Sequence, residues 1–200
     1  MPKFIFAFFG LLILSVWYHS SSAQELYYTV DMRGKEIGKI KAIITQTPNS
    51  KTFTVLSEVN FKVLWKKYQR ISNNYVVYEN DNLVEIFAGV YINNDLEDSV
   101  TLTHDGETYY SYRHPDESLP ITDPSVNFAS IELYFSEPVG IEKIYSEQHL
   151  TYCPLEKYDS HKYKLLLPNG DFNTYTYEDS QLVEVVVDRT WFDLKFIKAN

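Results

Sequence analysis

The sequence predicts an all-β fold: a single domain of antiparallel strands in a strongly curved sheet, half-barrel or barrel-like, with one short helix. Apolar and polar residues alternate with a period of two along much of the chain, which places every second side chain on one face of a strand. The chain has 17 tyrosines and 12 phenylalanines, and both residue types favour strands. Pairs typical of tight turns, such as Asp105-Gly106 and Asn169-Gly170, separate the alternating segments.

The N terminus reads as a secretory signal peptide over residues 1–23. A basic start at Lys3 precedes a predominantly apolar run, residues 4–17, and then a short run of small polar residues. We expect cleavage between Ala23 and Gln24. A membrane-spanning helix needs about 20 apolar residues, so this run is too short for one. The mature protein is therefore expected to be periplasmic or secreted, with no transmembrane segment.

Residues 24–200 suit one β domain that is large enough for its own core. The net charge of −9 argues against a nucleic-acid or anionic-membrane partner. Lys66, Lys67 and Arg70 form the densest basic patch in the sequence. Cys153 is the single cysteine, so no intrachain disulfide can form.

The alternating segments predict thirteen strands. They are expected at residues 26–32, 36–47, 51–59, 64–79, 83–93, 99–104, 107–114, 143–147, 150–157, 161–167, 172–178, 182–188 and 190–198. Short hairpins joined in sequence form a meander, and a meander of this length must curl. Further reversals are expected at Gly34, at residues 48–50 and at residues 80–82.

One segment departs from the strand pattern. After a proline-containing crossing, residues 126–135 place apolar side chains at steps of three and four, which predicts a short helix with Asp123 or Ser125 as its N-cap. We expect this helix to pack at or across the mouth of the curved sheet.

Five strings in the C-terminal half resemble a known family. They are Leu133-Tyr134-Phe135-Ser136-Glu137-Pro138, Ile144-Tyr145-Ser146-Glu147, His161-Lys162-Tyr163-Lys164-Leu165, Leu167-Pro168-Asn169-Gly170 and Asn173-Thr174-Tyr175-Thr176-Tyr177. With them the chain resembles the DUF6134 family, a domain of unknown function. The resemblance implies a short exported envelope protein, mainly of Bacteroidetes, with a curved antiparallel sheet. Because no function is established for that family, the resemblance assigns no catalytic or binding residue.

The candidate metal ligands are few. Four histidines follow the predicted signal peptide: His104, His114, His149 and His161. Glu147 with His149, and Asp159 with His161, are each two residues apart and would share a strand face. A metal site needs three or four converging ligands, so no metal or other cofactor is predicted. The acidic stretch 93–98 supplies oxygen ligands for calcium but lacks the glycine and the final glutamate of a calcium loop.

The sequence also contains no motif typical of nucleophilic catalysis. The sequence contains no Gly-x-Ser-x-Gly turn, and Cys153 lies in an apolar strand context where a buried, inert thiol is expected. No catalytic residue is therefore predicted.

The function stays unknown at this level, and two hypotheses remain open. The favoured one is a non-enzymatic envelope protein that binds an apolar small molecule, a lipid or a partner on the concave sheet face, because aromatic residues such as Trp65 and Trp191 are abundant. The alternative is a hydrolase acting on an envelope or dietary polymer through paired carboxylates.

Overall fold

A computed structural model describes residues 21–115, 126–189 and 192–199. Within these ranges the chain forms one antiparallel sheet of thirteen strands. The strands are β1 Ser22–Met32, β2 Lys35–Gln46, β3 Ser50–Val63, β4 Lys66–Glu79, β5 Asn82–Ile92, β6 Asp95–His104, β7 Tyr109–His114, β8 Lys143–Ser146, β9 Thr151–Asp159, β10 Lys162–Leu166, β11 Phe172–Glu178, β12 Gln181–Arg189 and β13 Phe192–Lys198. All thirteen predicted strands are confirmed. The apolar run of the predicted signal peptide lies outside the described residues.

The strand order across the sheet is β7-β6-β5-β4-β3-β2-β1-β13-β12-β11-β10-β9-β8. Two meanders, β1 to β7 and β8 to β13, are joined by antiparallel pairing of β1 with β13, as in the pair Tyr28 and Lys198. The first and last strands therefore lie in the middle of the sheet. Strands β7 and β8 form its two edges, and the sheet is not closed by pairing between them in the described part of the chain.

Side chains connect the two edges across the open side. Arg113 on β7 donates to the Gln148 carbonyl oxygen at 2.5 Å and forms an ion pair with Asp98 on β6, N to O 3.1 Å. Gln148, in the turn after β8, also donates from Nε2 to Asp98 at 2.9 Å. This network links the two edges of the open sheet, so of the half-barrel and the barrel that the sequence predicts, the described part of the chain has the open form.

Tight turns follow the expected chemistry. The hairpin tips with two central residues at positive φ are Arg33-Gly34, Asn80-Asp81, Asn93-Asn94 and Asp179-Ser180. Gly106 and Gly170, also at positive φ, lie in the loops after β6 and β10 as predicted. Polar residues and glycine adopt this conformation with least strain.

Bulges and one glycine allow the sheet to curve. The register shifts within several pairings, for example between Val30 and Asp31 on β1 and between Val77 and Tyr78 on β4, and such bulges increase local twist. At Gly38 a Cβ would lie 2.2 Å from the carbonyl oxygen of Glu58 on β3. The close approach of β2 to β3 therefore requires glycine there.

Residues 126–142, the inner segment, cross the concave face of the sheet. The helix predicted over residues 126–135 is wrong, since the helical part is a 3-10 helix at Ser130–Tyr134 and the predicted N-caps lie outside the described residues. Ala129 is extended and bridges to Tyr145 on β8. The segment is enclosed by strands, and Ala129, Ile131 and Leu133 are all buried. Tertiary packing therefore determines the conformation of this segment, and the helical spacing of its apolar residues does not.

The core lies between the inner segment and the concave sheet face. Tyr28, Ile86, Tyr163 and Leu165 are among the fully buried side chains that pack there. Tyr177 Oη donates to the carbonyl oxygen of Leu133 at 2.8 Å, which fixes the inner segment to β11. Among the described residues, no helix is both long and apolar enough to span a bilayer.

Candidate ligand-binding cleft

The inner segment leaves part of the concave face uncovered, and a cleft of about 700 Å³ remains there. The lining residues come from the sheet, from Tyr134 and from Gln148. Those on the sheet are Met32, Arg33, Ile37, Ile40, Val55, Ser57, Val59, Phe61, Lys62, Arg70, Ser72, Asn74, Asn173, Val187, Leu194 and Phe196. They belong to β1, β2, β3, β4, β11, β12 and β13 and to the hairpin tip after β1, so seven adjacent strands form one continuous wall.

The wall of the cleft is mainly apolar. Val55 and Val59 alternate with outward-facing residues on β3, and Leu194 and Phe196 do the same on β13. Tyr134, at the end of the 3-10 helix, closes the cleft on the side of the inner segment. The curvature of the sheet therefore gathers apolar side chains from both meanders around one space.

Three basic residues line the same cleft: Arg33, Lys62 and Arg70. Arg70 is half-buried and donates from Nη1 to the Oγ of Ser72 at 2.7 Å. None of the described lining residues is acidic. In a chain with a net charge of −9, the cleft is thus locally cationic.

A polar face on β4 contributes the remaining feature. Arg70, Ser72 and Asn74 share the concave face with the apolar Val76 and Tyr78. The Oδ1 atom of Asn74 is buried and accepts no hydrogen bond from any described residue. An unsatisfied buried acceptor costs about 1–3 kcal/mol, so a hydroxyl or amide donor in the cleft would be stabilised here.

Comparison with known proteins identifies the family. One family model, described as a domain of unknown function, DUF6134, matches residues 28–199. The chain belongs to the DUF6134 family. The match extends from within β1 to the end of β13, so the family domain includes both meanders and the cleft between them. Neither the search of curated proteins nor that of solved structures gave a match.

The two histidine–carboxylate pairs that the sequence offered as metal ligands do not form a metal site among the described residues. His161 Nδ1 lies 3.0 Å from Oε1 of Glu137, whereas Asp159 forms an ion pair with Lys162. Burial alone would raise the pKa of Glu137, but hydrogen bonds from Tyr163 and His161 outweigh it and hold that pKa below its ordinary value. Within the described ranges no three His, Cys, Asp or Glu side chains are placed to bind one metal ion.

The other candidate groups are also engaged elsewhere. The stretch 93–98 forms the β5–β6 hairpin, in which Asp98 pairs with Arg113 and Gln148. Cys153 is buried in β9, as predicted, and this burial raises the pKa of its thiol. A buried thiol with a raised pKa is a weak nucleophile.

Two carboxylates, the buried Glu147 and the half-buried Glu132, accept hydrogen bonds from residues of the inner segment. Glu147 accepts hydrogen bonds from the Ser130 hydroxyl and from the Ile131 N–H, the latter at 2.7 Å. Glu132 accepts from Tyr78 Oη at 2.8 Å and from the Ala129 N–H at 3.0 Å. Neither carboxylate lines the cleft, so these two residues give the hydrolase hypothesis no carboxylate pair in that site.

Burial raises the pKa of both carboxyls, and the charge of Glu132 further raises that of Glu147. The folded protein then binds these protons more tightly than the unfolded chain does. The resulting stabilisation is complete below the unfolded pKa and is lost as the pH rises through the folded pKa. One such group contributes a slope of at most about 1.4 kcal/mol per pH unit.

We therefore expect the free energy of unfolding to fall as the pH rises above the ordinary carboxyl range, and Glu147→Gln to remove part of that fall. Glutamine retains an acceptor for the Ile131 N–H but does not titrate. Urea unfolding between about pH 4 and about pH 8 measures the slope. The exposed Glu142→Gln is the matched control. Equal slopes in the wild type and in Glu147→Gln would contradict the assignment.

Sequence reasoning missed the cleft residues. One pattern on β4 could have indicated the cleft. Alternate positions along this strand are polar at first and then apolar: Arg70, Ser72, Asn74, Val76 and Tyr78. It shows that one strand face is polar at one end and apolar at the other. Only the curvature of the sheet shows that this face is the concave one.

Proposed function

We propose that this protein binds an amphiphilic small molecule in the cleft, with its apolar part against β1, β2, β3 and β13 and its anionic head group near Arg70. The observation that carries the proposal is the combination of an apolar wall with three basic residues and no acidic residue among the described lining positions. An apolar cavity with a few polar groups is the usual form of a small-molecule site. The ligand class that fits is a lipid or fatty-acid-like anion.

The size and chemistry of the cleft support this class. Its volume of about 700 Å³ lies within the usual range of small-molecule sites, about 300–1,000 Å³. Each methylene group that leaves water for the apolar wall contributes about 0.8 kcal/mol. A guanidinium such as that of Arg70 can donate two parallel hydrogen bonds to a carboxylate or phosphate. Asn74 is placed to accept from a hydroxyl or amide next to the head group.

We also propose that residues 1–23 direct export and are removed, so that the ligand is met outside the cytoplasm. The basic start and the apolar run 4–17 support this. The first described strand begins at Ser22, two residues before the expected N terminus at Gln24. A chain that begins at Gln24 loses the pairs of Ser22 with Gln46 and of Ala23 with Thr45, but β1 still pairs with β2 from Gln24 onward.

Native mass spectrometry of protein purified from the periplasm without detergent tests both proposals. We expect a chain beginning at Gln24 that carries an additional mass, and we expect organic extraction to release that mass as a lipid-class anion. An N terminus at Met1 would contradict export with cleavage. An unliganded mass, together with no saturable binding of a fluorescent fatty acid, would contradict the ligand proposal.

A further inference from the structure

The β3–β4 hairpin ends in a two-stranded ribbon that separates from the sheet. Strand β3 last pairs with β2 at Val59, and β4 last pairs with β5 at Arg70. Beyond these positions residues 60–63 form strand pairs with residues 66–69, and Gln69 at the base is also hydrogen-bonded to Asn93 at the β5–β6 tip. We call residues 60–69 the ribbon. Four antiparallel pairs at about 3.4 Å per residue make it about 14 Å long.

The tip of the ribbon exposes two large apolar side chains. Leu64 and Trp65 form the two-residue loop, and each is 77% exposed. Leu64 has φ +55°, a conformation in which glycine or asparagine is the usual residue. The positive-φ tips of the other described two-residue hairpins carry Arg-Gly, Asn-Asp, Asn-Asn, Ser-His and Asp-Ser. The turn therefore gives no reason for leucine and tryptophan at this tip.

The ribbon also carries lysines whose arrangement destabilises the pairing of its two strands. Lys62 pairs directly with Lys67 across the two strands, and Lys66 follows the tip. Like charges directly opposite each other destabilise a strand pair. The ribbon contains no acidic residue. Phe61 and Tyr68 pair across the two strands, and their rings stack at 5.5 Å with 15° between their planes.

We propose that the ribbon docks this protein onto an anionic lipid bilayer, with Leu64 and Trp65 inserted at the level of the head groups. Tryptophan favours the membrane interface because its ring is apolar and its N–H is polar. Lysines next to such a tip are attracted by anionic lipids. Phe61 and Lys62 also line the cleft, so docking places the mouth of the cleft at the membrane surface.

The negative charge of the whole chain does not prevent this contact. Salt at physiological strength screens charges beyond about 8 Å, so the lysines of the ribbon determine the potential at its tip. Glu58, the acidic residue at the base of the ribbon, accepts hydrogen bonds from Asn60 and Gln69. It lies six residues from Leu64 along β3. The inference stands independently of the ligand in the cleft.

Trp65 provides a local measurement of docking. Of the three tryptophans in the chain, Trp17 lies in the segment that we propose is removed. Trp191 is replaced by phenylalanine in the protein that begins at Gln24, so that emission reports on Trp65 alone. The protein is mixed with vesicles of phosphatidylcholine, with or without one quarter phosphatidylglycerol, and with brominated lipids as quenchers. We expect a blue shift and quenching on the anionic vesicles, both weakened by high salt.

The pair Lys66→Gln and Lys67→Gln should lower the partition coefficient at least about tenfold. The control pair, Lys39→Gln and Lys195→Gln, lies on exposed strand positions and changes the net charge by the same amount. It should leave the partition coefficient within about twofold of the wild type. Unchanged circular dichroism verifies folding of both. The proposal is overturned if the Trp65 emission does not shift on anionic vesicles. It is also overturned if the control pair lowers the partition coefficient as much as the ribbon pair does. A photoreactive residue at position 65 that crosslinks in cells to an acidic protein rather than to lipid also overturns it.

Discussion

Replacing Leu133 by alanine is expected to lower the free energy of unfolding by about 3 kcal/mol, within the range of about 2–5 kcal/mol for buried leucines. Leu133 is fully buried in the inner segment. Its loss removes apolar contacts and leaves a cavity between the segment and the sheet. Urea unfolding followed by circular dichroism measures the change.

The matched control is Val139→Ala in the same segment. Val139 is 71% exposed, so this substitution should change the free energy of unfolding by less than about 0.5 kcal/mol. If both substitutions had the same small effect, the inner segment would not be part of the core. The floor of the cleft at Tyr134 would then lack the support that we assign to it.

Replacing Ser57 by tryptophan is expected to reduce ligand binding at least about tenfold, which corresponds to about 1.4 kcal/mol. Ser57 lines the cleft on β3 between Val55 and Val59. An indole at this position occupies space that the apolar part of the ligand would take. Because the side chain extends into the cleft and not into a packed core, the fold should be retained.

Leu56→Trp is the matched control for this substitution. Leu56 is the preceding residue on β3 and faces away from the cleft, with 39% of its surface exposed. It adds the same ring on the opposite face of the same strand, and binding should remain within about twofold of the wild type. Equal losses in the two variants would contradict binding on the concave face.

Much of the fold could be predicted because its determinants are local. Alternation over two-residue steps depends on neighbouring residues only, and so do turns such as Asn169-Gly170; all thirteen strands followed from such patterns. The pairing of β1 with β13 joins residues about 170 positions apart, such as Tyr28 and Lys198. No local pattern specifies that pairing, so the order of the strands and the identity of the edges could not be predicted.

The inner segment and the cleft show the same limit. Residues 126–135 have a helical spacing of apolar side chains, but burial on several sides selects an extended chain with one 3-10 helix, Ser130–Tyr134. Lys66, Lys67 and Arg70 appear as one basic patch in the sequence. The structure separates them, because Arg70 lines the cleft while Lys66 and Lys67 lie on the ribbon. Their different roles depend on where the β3–β4 hairpin separates from the sheet.

The most direct test of the proposed binding site is photo-crosslinking with a fatty acid that carries a diazirine near the middle of its chain. The delipidated protein is labelled in wild-type, Ser57→Trp and Leu56→Trp forms, and the modified residues are mapped by peptide mass spectrometry. We expect saturable labelling of concave residues such as Ile40, Val59 and Phe196 in the wild type and in Leu56→Trp, and little in Ser57→Trp. Labelling that is not saturable, or that falls on outward-facing residues and is unaffected by Ser57→Trp, would contradict a ligand site in the cleft.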